Sequence, residues 1–90
     1  MKFEWDEVKA VSNLRKHGVS FEEASTTFAD DLSLTGIDPD HSHNEHRFVI
    51  FGVSSGGRLL VVSHTENSGN IRIISARPAT RVEKKFYEDD

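Results

Sequence analysis

The pattern of apolar and polar positions changes from extended to helical and back again along the chain. Residues 2–5, "KFEW", alternate between charged and aromatic side chains, which is typical of a short β-strand. In the next segment apolar residues recur at the three-residue spacing of a helix, at Val8, Val11 and Leu14. We therefore predict a strand followed by a helix.

Capping residues mark the ends of this helix and the start of a second one. Asp6 is a favourable N-cap and Gly18 can adopt the left-handed conformation that ends a helix, so the first helix is expected within residues 6–18. Ser20 and Glu23 have the spacing of a capping box, in which the serine hydroxyl accepts from the Glu23 amide and the Glu23 carboxylate reaches back to Ser20. We expect this second helix to run for about ten residues. Its predicted inward-facing side chains are Phe21, Ala24 and Phe28.

From residue 32 onward β-branched and aromatic residues are enriched, and the pattern is that of strands. Four extended segments are predicted, over residues 32–37, 47–53, 58–65 and 71–76. The turn sequences "SSGG" and "ENSGN" join the last three segments, and such short loops require antiparallel pairing. Pro78 suits the first turn of a helix, so a closing helix is predicted from that residue. Its apolar residues on one side are Val82 and Phe86.

The predicted fold class is α+β, in one domain that spans residues 1–90. An N-terminal strand and a helical hairpin pack on a four-stranded antiparallel meander, and a C-terminal helix closes the chain. The absence of cysteine excludes disulfides, thiolate zinc sites and a cysteine nucleophile. No apolar stretch approaches the roughly 20 residues that span a bilayer, so we expect a cytoplasmic protein with no membrane partner.

Charge is unevenly distributed along the sequence. Residues 1–45 carry four basic and ten acidic side chains, whereas residues 46–87 carry seven basic and two acidic ones. The basic half can present a surface to a polyanion despite the net negative charge of the chain. The alternative is that the charged side chains of both halves only contact solvent and bind no partner.

Several blocks of sequence resemble one protein family. "FEWD" near the start, "KHGVSFEEA" at residues 16–24, "GRLLVV" and "IRIISAR", followed by a helix with Glu and Tyr, are similar to the BrnT toxins of the RelE/ParE superfamily. The resemblance spans residues 2–87. It implies a RelE/ParE-like fold and a ribonuclease that inhibits translation. It also implies that a BrnA-type ribbon-helix-helix antitoxin neutralises the toxin, and that the complex reaches operator DNA through the antitoxin and represses its own operon.

Cleavage of RNA without metal requires cations at the phosphate, a base for the 2′-hydroxyl proton and an acid for the leaving 5′ oxygen. Arginine is the preferred cation because its planar fork binds phosphate oxygens in pairs. The candidates in the basic segment are Arg58, Arg72, Arg77 and Arg81. Arg77 and Arg81 are four residues apart, so they converge on one phosphate if the last helix begins near Pro78. We expect no cofactor and no functional metal.

Candidates for proton transfer lie near strand and helix ends. They are His64, Glu66, His17, Glu83 and Tyr87. His64 is the first choice because imidazole titrates near neutrality. An odd hairpin loop places it directly across from Arg72, whereas an even loop places it opposite Ile73 and leaves Arg72 with Thr65. The alternative for His64 is a hydrogen-bonded histidine at the end of a strand.

The other basic residues also have two interpretations. Arg58 either binds RNA or makes a hairpin tip soluble. Arg72 lies in an open groove or pairs with an acid such as Glu45. Lys16 and His17 are favoured at a helix C-terminus by the helix dipole. The resemblance to the BrnT family implies instead that they contact RNA.

The segment "DPDHSHNEHR" contains residues of metal-ligand type, namely Asp38, Asp40, His41, His43 and His46. Because the segment forms a Pro-bearing loop, these residues are equally expected as solvated side chains.

The sequence leaves two functions open for the whole chain. One is an RNA-cleaving toxin, and the other is a non-catalytic toxin-fold module that acts through its antitoxin or another protein target. An acidic first half and exposed strand edges suit a basic antitoxin in either case.

Overall fold

A five-stranded mixed sheet forms the centre of the computed structural model, which describes residues 1–38 and 46–88. The elements are β1 (Lys2–Glu4), α1 (Glu7–His17), α2 (Phe21–Ser25), a 3₁₀ helix (Thr26–Ala29), β2 (Leu34–Ile37), β3 (Arg47–Val53), β4 (Leu59–Asn67), β5 (Asn70–Pro78) and α3 (Arg81–Glu88). The strand order is β1-β5-β4-β3-β2. The α+β class and the antiparallel meander of the last four strands are therefore confirmed, and β1 adds a parallel edge strand beside β5.

The loop between β4 and β5 decides which residues face one another across the hairpin. Only Ser68 and Gly69 lie outside the pairing, and both have positive φ, 52° and 85°. Two consecutive positive φ values are what a type I′ turn requires. The loop is therefore even, so His64 lies opposite Ile73 and Arg72 lies opposite Thr65.

A β-bulge changes the direction of the side chains along β5. The pairing with β4 shifts between Ser63 and His64, where Ile74 has no partner. One extra residue reverses the alternation of faces beyond it. Arg72 and Arg77 are an odd number of residues apart, and the bulge places both on the same face of the sheet.

The core lies between the other face of the sheet and the layer formed by α1, α2 and the 3₁₀ helix. Its buried apolar members are Val19, Phe21, Ala24, Ile50, Leu60, Val62, Ile71, Ile73 and Ala76. Burial of a large aliphatic or aromatic side chain contributes about 1.5–3 kcal/mol. The inward positions of Phe21 and Ala24 are confirmed, and Phe28 packs half-buried against the same cluster.

The predicted ends of the first helix are confirmed. Asp6 accepts from the amide of Val8 at 2.8 Å, and Gly18 ends the helix with a φ of 70°. Its apolar stripe does not face the core. Its residues Val8, Val11 and Leu14 are 79%, 56% and 51% exposed.

Asn13 explains this orientation of α1. Its buried amide nitrogen donates to the carbonyls of Val19 and Ala76, and its oxygen accepts from the amide of Ala76. Because β1 pairs with β5 only at residues 70–72, the edge of β5 at Ala76 has no neighbouring strand there. The carboxamide satisfies that edge, so a polar contact rather than the apolar stripe orients the helix.

The predicted second helix is divided into α2 and the 3₁₀ helix. Half of its capping box is confirmed, because the Ser20 hydroxyl accepts from the Glu23 amide at 3.0 Å. The other half is wrong: the Glu23 carboxylate accepts from Arg58 and from the Ser54 hydroxyl. An arginine fork is a stronger partner for a carboxylate than a backbone amide, and the β3–β4 turn brings one within reach.

The C-terminal helix begins later than predicted. β5 continues through Pro78, and α3 begins at Arg81. Thr80 and Glu83 form a reciprocal capping box, with backbone-to-side-chain distances of 2.8 and 3.2 Å. Pro78 fits the end of β5 because the ladder with β4 continues through the amide of Ala79, which donates to the carbonyl of Leu59 at 2.9 Å. In the part of the chain that the structure describes, no strand lies beside Pro78 on the other edge of β5, so its missing N–H leaves no bond unmade. Within the described residues, no helix has the length and apolar character needed to cross a bilayer.

Candidate functional site

The face of the sheet opposite the helical layer forms a cleft of about 520 Å³. Its lining residues are Gly36, Ile37, Asp38, Arg47, Val49, Phe51, Val61, Ser63, Ser75, Arg77 and Glu83. Along β3 and β4 these residues alternate with core residues such as Ile50 and Val62, as side chains on opposite faces must. We call this surface the open-face cleft.

Pairing across the strands arranges this surface in three rows. The first row contains Phe51, Val61 and Arg77, the second contains Val49, Ser63 and Ser75, and the third contains Arg47, Thr65 and Arg72. Neighbouring rows are about 7 Å apart, since a strand rises about 3.3 Å per residue. The cleft therefore has an arginine in each outer row and an apolar floor with two hydroxyls between them.

Arg77 and Glu83 form the most specific contact in the cleft. The two guanidinium nitrogens donate to the two carboxylate oxygens at 2.7 and 2.8 Å. These hydrogen bonds, with a further one from the Thr80 amide, lower the pKa of Glu83 to about 2. The carboxylate in turn raises the pKa of Arg77. The two side chains are 40% and 24% exposed, so the pair borders solvent and stays accessible to a ligand.

The other two candidate arginines on the C-terminal segment lie apart from this pair. Arg72 donates to Glu4 at 3.1 Å, and both side chains are about half exposed. The acid proposed as its partner, Glu45, lies outside the described residues. Arg81 is exposed in the first turn of α3 and does not line the cleft. Because α3 begins at Arg81 rather than near Pro78, the condition for a joint Arg77 and Arg81 clamp is not met.

His64 lies in the core, on the face of the sheet opposite to Arg77. It is 1% exposed and contacts the rings of Phe28 and Phe48 at centroid distances of 4.8 and 5.9 Å. Burial lowers its pKa, because desolvation disfavours the charged imidazolium. Glu66 has the same alternation and is exposed near the end of β4. The structure does not bring either residue together with the arginines of the cleft.

Tyr87 anchors the end of α3. Its hydroxyl donates to a carboxylate oxygen of Asp30 at 2.9 Å, and the same carboxylate accepts from the amides of Val53 and Leu32. Burial and the neighbouring carboxylate raise the pKa of Tyr87. Tyr87 therefore fixes the helix against the β2 and β3 ends and does not reach the Arg77–Glu83 pair.

The three residues predicted as RNA contacts also lie off the cleft. Arg58 donates to both Glu23 oxygens and to the carbonyl of Gly18, which ties the β3–β4 turn to the helical layer. Lys16 and His17 lie in the last turn of α1. Of the loop residues considered as metal ligands, Asp40, His41 and His43 lie outside the described residues.

Sequence reasoning missed the middle of the cleft. Phe51, Ser63 and Ser75 were not singled out, because "VIF" and "LLVV" show apolar residues at both alternating positions and do not reveal which face is open. The odd-numbered residues of β3 and β4 share the open face, so the alternation of side chains along the strands is the sequence signal that could have identified it. Ser75 joins them only because of the bulge at Ile74.

Comparisons with known proteins agree on one family. The model of the family described as "Ribonuclease toxin, BrnT, of type II toxin-antitoxin system" matches residues 5–83, a range that includes Arg77 and Glu83. The crystal structure of the Brucella abortus ribonuclease toxin BrnT is similar to this chain, with 25% sequence identity and a TM-score of 0.66. The match covers 90% of this chain and 99% of that one. No curated protein sequence matches the chain.

Proposed function

This chain belongs to the BrnT family of ribonuclease toxins of type II toxin-antitoxin systems, and from that premise we propose that it is a metal-independent endoribonuclease acting in the open-face cleft. We place the reacting phosphate at Arg77 and the proton acceptor at Glu83. The observation that carries the proposal is the fork-on-fork contact at 2.7 and 2.8 Å, which holds a phosphate-binding cation and a carboxylate base in one accessible position.

Binding of RNA changes the chemistry of this pair. The geometry with which Arg77 holds two carboxylate oxygens also suits two phosphate oxygens. A phosphate that takes this fork removes the hydrogen bonds that contribute most to the low pKa of Glu83. The pKa of Glu83 then rises towards its ordinary value, so the carboxylate becomes a better base. The Thr80 amide keeps Glu83 in place meanwhile.

The reaction that we propose uses the substrate's own nucleophile. The 2′ oxygen attacks the adjacent phosphorus while Glu83 takes its proton, and Arg77 stabilises the charge of the phosphorane. The bond between phosphorus and the 5′ oxygen breaks, and that oxygen takes a proton from solvent, which reaches the open cleft. The products end in a 2′,3′-cyclic phosphate and a 5′-hydroxyl.

The remaining sequence-based candidates have supporting or untested roles. Arg72 and Arg81 contribute positive charge near the cleft and attract neighbouring phosphates, an effect that weakens with salt. Contacts of RNA with Lys16, His17 and Arg58 stay predictions. Proton transfer by His64, Glu66 or Tyr87 also stays a prediction, and the proposed reaction does not use it.

Membership of a type II family implies an antitoxin partner. We propose that this partner is a BrnA-type ribbon-helix-helix protein, that the RelE/ParE-like toxin inhibits translation in the cytoplasm, and that the complex represses its own operon. Two exposed apolar stripes support a protein partner. The first is the α1 stripe described above, and the second consists of Val82 and Phe86 on α3.

The experiment that tests the proposed reaction measures cleavage of a labelled single-stranded RNA in the presence of EDTA. Arg77→Gln and Glu83→Gln should each lower the rate about a hundredfold or more, as loss of a transition-state contact does. Arg15→Gln and Glu22→Gln are matched controls, because both residues are exposed on the helical layer. Unchanged rates in both cleft variants would contradict the assignment. Growth arrest with intact RNA would favour the non-catalytic module instead.

A further inference from the structure

We infer that the middle of the open-face cleft is a nucleobase pocket, in which Phe51 stacks on one base of the RNA and the hydroxyls of Ser63 and Ser75 bind its edge. This inference rests on the proposed function and adds a subsite to it. Neither the family description nor the proposed reaction assigns a role to these residues.

The floor of the cleft is apolar on a face where a sheet covered on one side normally carries polar side chains. Phe51 and Val61 pair directly across β3 and β4, and Val49 lies in the next row. Val61 is buried, whereas Phe51 is half-buried and borders the cleft. A partly exposed aromatic ring in a cleft that also contains positively charged side chains is a surface on which single-stranded nucleic acids stack their bases.

Two hydroxyls lie one row further along the cleft. Ser63 and Ser75 pair directly across β4 and β5. Throughout residues 1–38 and 46–88, no side chain or backbone group forms a hydrogen bond with either hydroxyl. A hydroxyl both donates and accepts, and the edge of every base offers both kinds of group. The bulge at Ile74 is what brings Ser75 to this position, so the irregularity in β5 builds the pocket.

The positions of the two arginines in the cleft, which also contains Asp38 and Glu83, agree with a nucleotide bound in this direction. Arg77 lies one row away on one side of the serines, and Arg47 lies one row away on the other. Each distance is about 7 Å along the strands. Backbone phosphates that contact the arginines therefore leave the base between them over the apolar floor.

Gly36 keeps one side of the pocket open. It lies on β2 opposite Val49, and a Cβ added there meets no atom within 4 Å. A glycine inside a strand lowers strand stability and is common where a ligand approaches closely. Valine at this position fits without displacing the core, but it narrows the pocket. Gly36→Val therefore reduces the volume available to a base and leaves the fold intact.

The test uses a fluorescein-labelled hexanucleotide with 2′-deoxyribose throughout, which cannot be cleaved because it lacks the nucleophile. Its affinity is compared with that of the same strand carrying abasic residues. We expect the wild-type protein to bind the strand with bases about tenfold more tightly, as loss of a stacked base predicts. Phe51→Leu and Gly36→Val should each abolish most of this difference, while the control Thr35→Val, on the opposite face of β2, should retain it.

The possible results separate the pocket from the proposed function. Equal affinity of the wild-type protein for both strands, with binding that still depends on Arg77, would overturn the pocket and leave the proposed function standing. A wild-type preference that persists in both pocket variants, with the fold verified by circular dichroism, would also overturn it. Failure of the wild-type protein to bind either strand would overturn the pocket, because base stacking does not need the 2′-hydroxyl, and the cleavage assay in EDTA decides the proposed function separately.

Discussion

Asn13 shows how much one polar side chain decides at the residue scale. A polar residue beside an apolar helical stripe suggests a solvated position, yet this one is buried and holds three hydrogen bonds to the backbone. Two of these bonds go to Ala76, which directly precedes Arg77. The residue therefore orients α1 and also fixes the strand that carries the proposed phosphate contact.

Asn13→Leu keeps the approximate volume and removes these bonds. We expect the free energy of unfolding to fall by about 3 kcal/mol, because buried backbone groups of Ala76 and Val19 lose a partner. Urea denaturation measures this change, with exposed Ser12→Ala as the control. If the free energy of unfolding of Asn13→Leu falls no more than that of Ser12→Ala, the amide does not hold the β5 edge.

His64 gives a second prediction at this scale. Its folded pKa lies below the unfolded value of 6.5, so the unfolded state takes up the proton first as pH falls. Stability from this residue is present above pH 6.5 and decreases as pH falls towards the folded pKa. His64→Leu should flatten this decrease, measured by urea denaturation at pH 7 and pH 5.

The same variant tests the alternative role of His64. If the imidazole only packs between Phe28 and Phe48, RNA cleavage by folded His64→Leu should stay within about threefold of wild type, since no group in the cleft is lost. A folded variant with cleavage reduced a hundredfold would restore His64 as the base and displace Glu83 from that role.

At the element scale, α3 is attached to the sheet by polar side chains. Glu83 binds Arg77 and Tyr87 binds Asp30, whereas Val82 and Phe86 on the other side are 78% and 70% exposed. Periodicity predicts such a stripe but does not indicate which side contacts the sheet. The ion pair and the capping box decide the orientation of this helix, and they turn its apolar side to solvent.

The attachment of α3 should weaken in acid. The pKa of Glu83 is about 2 in the folded protein and 4.5 without its partners, so its stabilisation is complete above pH 4.5 and is lost as pH falls towards 2. Between pH 6 and pH 3 we expect a loss on the order of 1–2 kcal/mol, reduced by solvent screening of the half-exposed arginine. Measured by urea denaturation, the free energy of unfolding of Glu83→Gln should fall less between pH 6 and pH 3 than that of the wild-type protein. The control Glu22→Gln should show the same fall as wild type. Equal losses in all three proteins would contradict the role of this pair.

At the scale of the whole molecule, the features set by local sequence patterns could be predicted, whereas those set by long-range contacts could not. The order of elements and the antiparallel meander follow from capping residues, strand periods and two short turns, all of which act within a few residues. The buried face of α1, the partner of Glu23 and the bulge at Ile74 depend on segments distant in sequence. For the same reason Arg77 was identifiable as a candidate, whereas the cleft around it was not.

We propose that the open-face cleft cleaves RNA by attack of the 2′-hydroxyl, with Arg77 and Glu83 in the reaction. Mass spectrometry of the products from a defined single-stranded RNA, incubated with the purified protein in EDTA, tests it most directly. We expect fragments that end in a 2′,3′-cyclic phosphate, paired with fragments that begin with a 5′-hydroxyl. Intact RNA, or fragments with 3′-hydroxyl and 5′-phosphate ends, would contradict it.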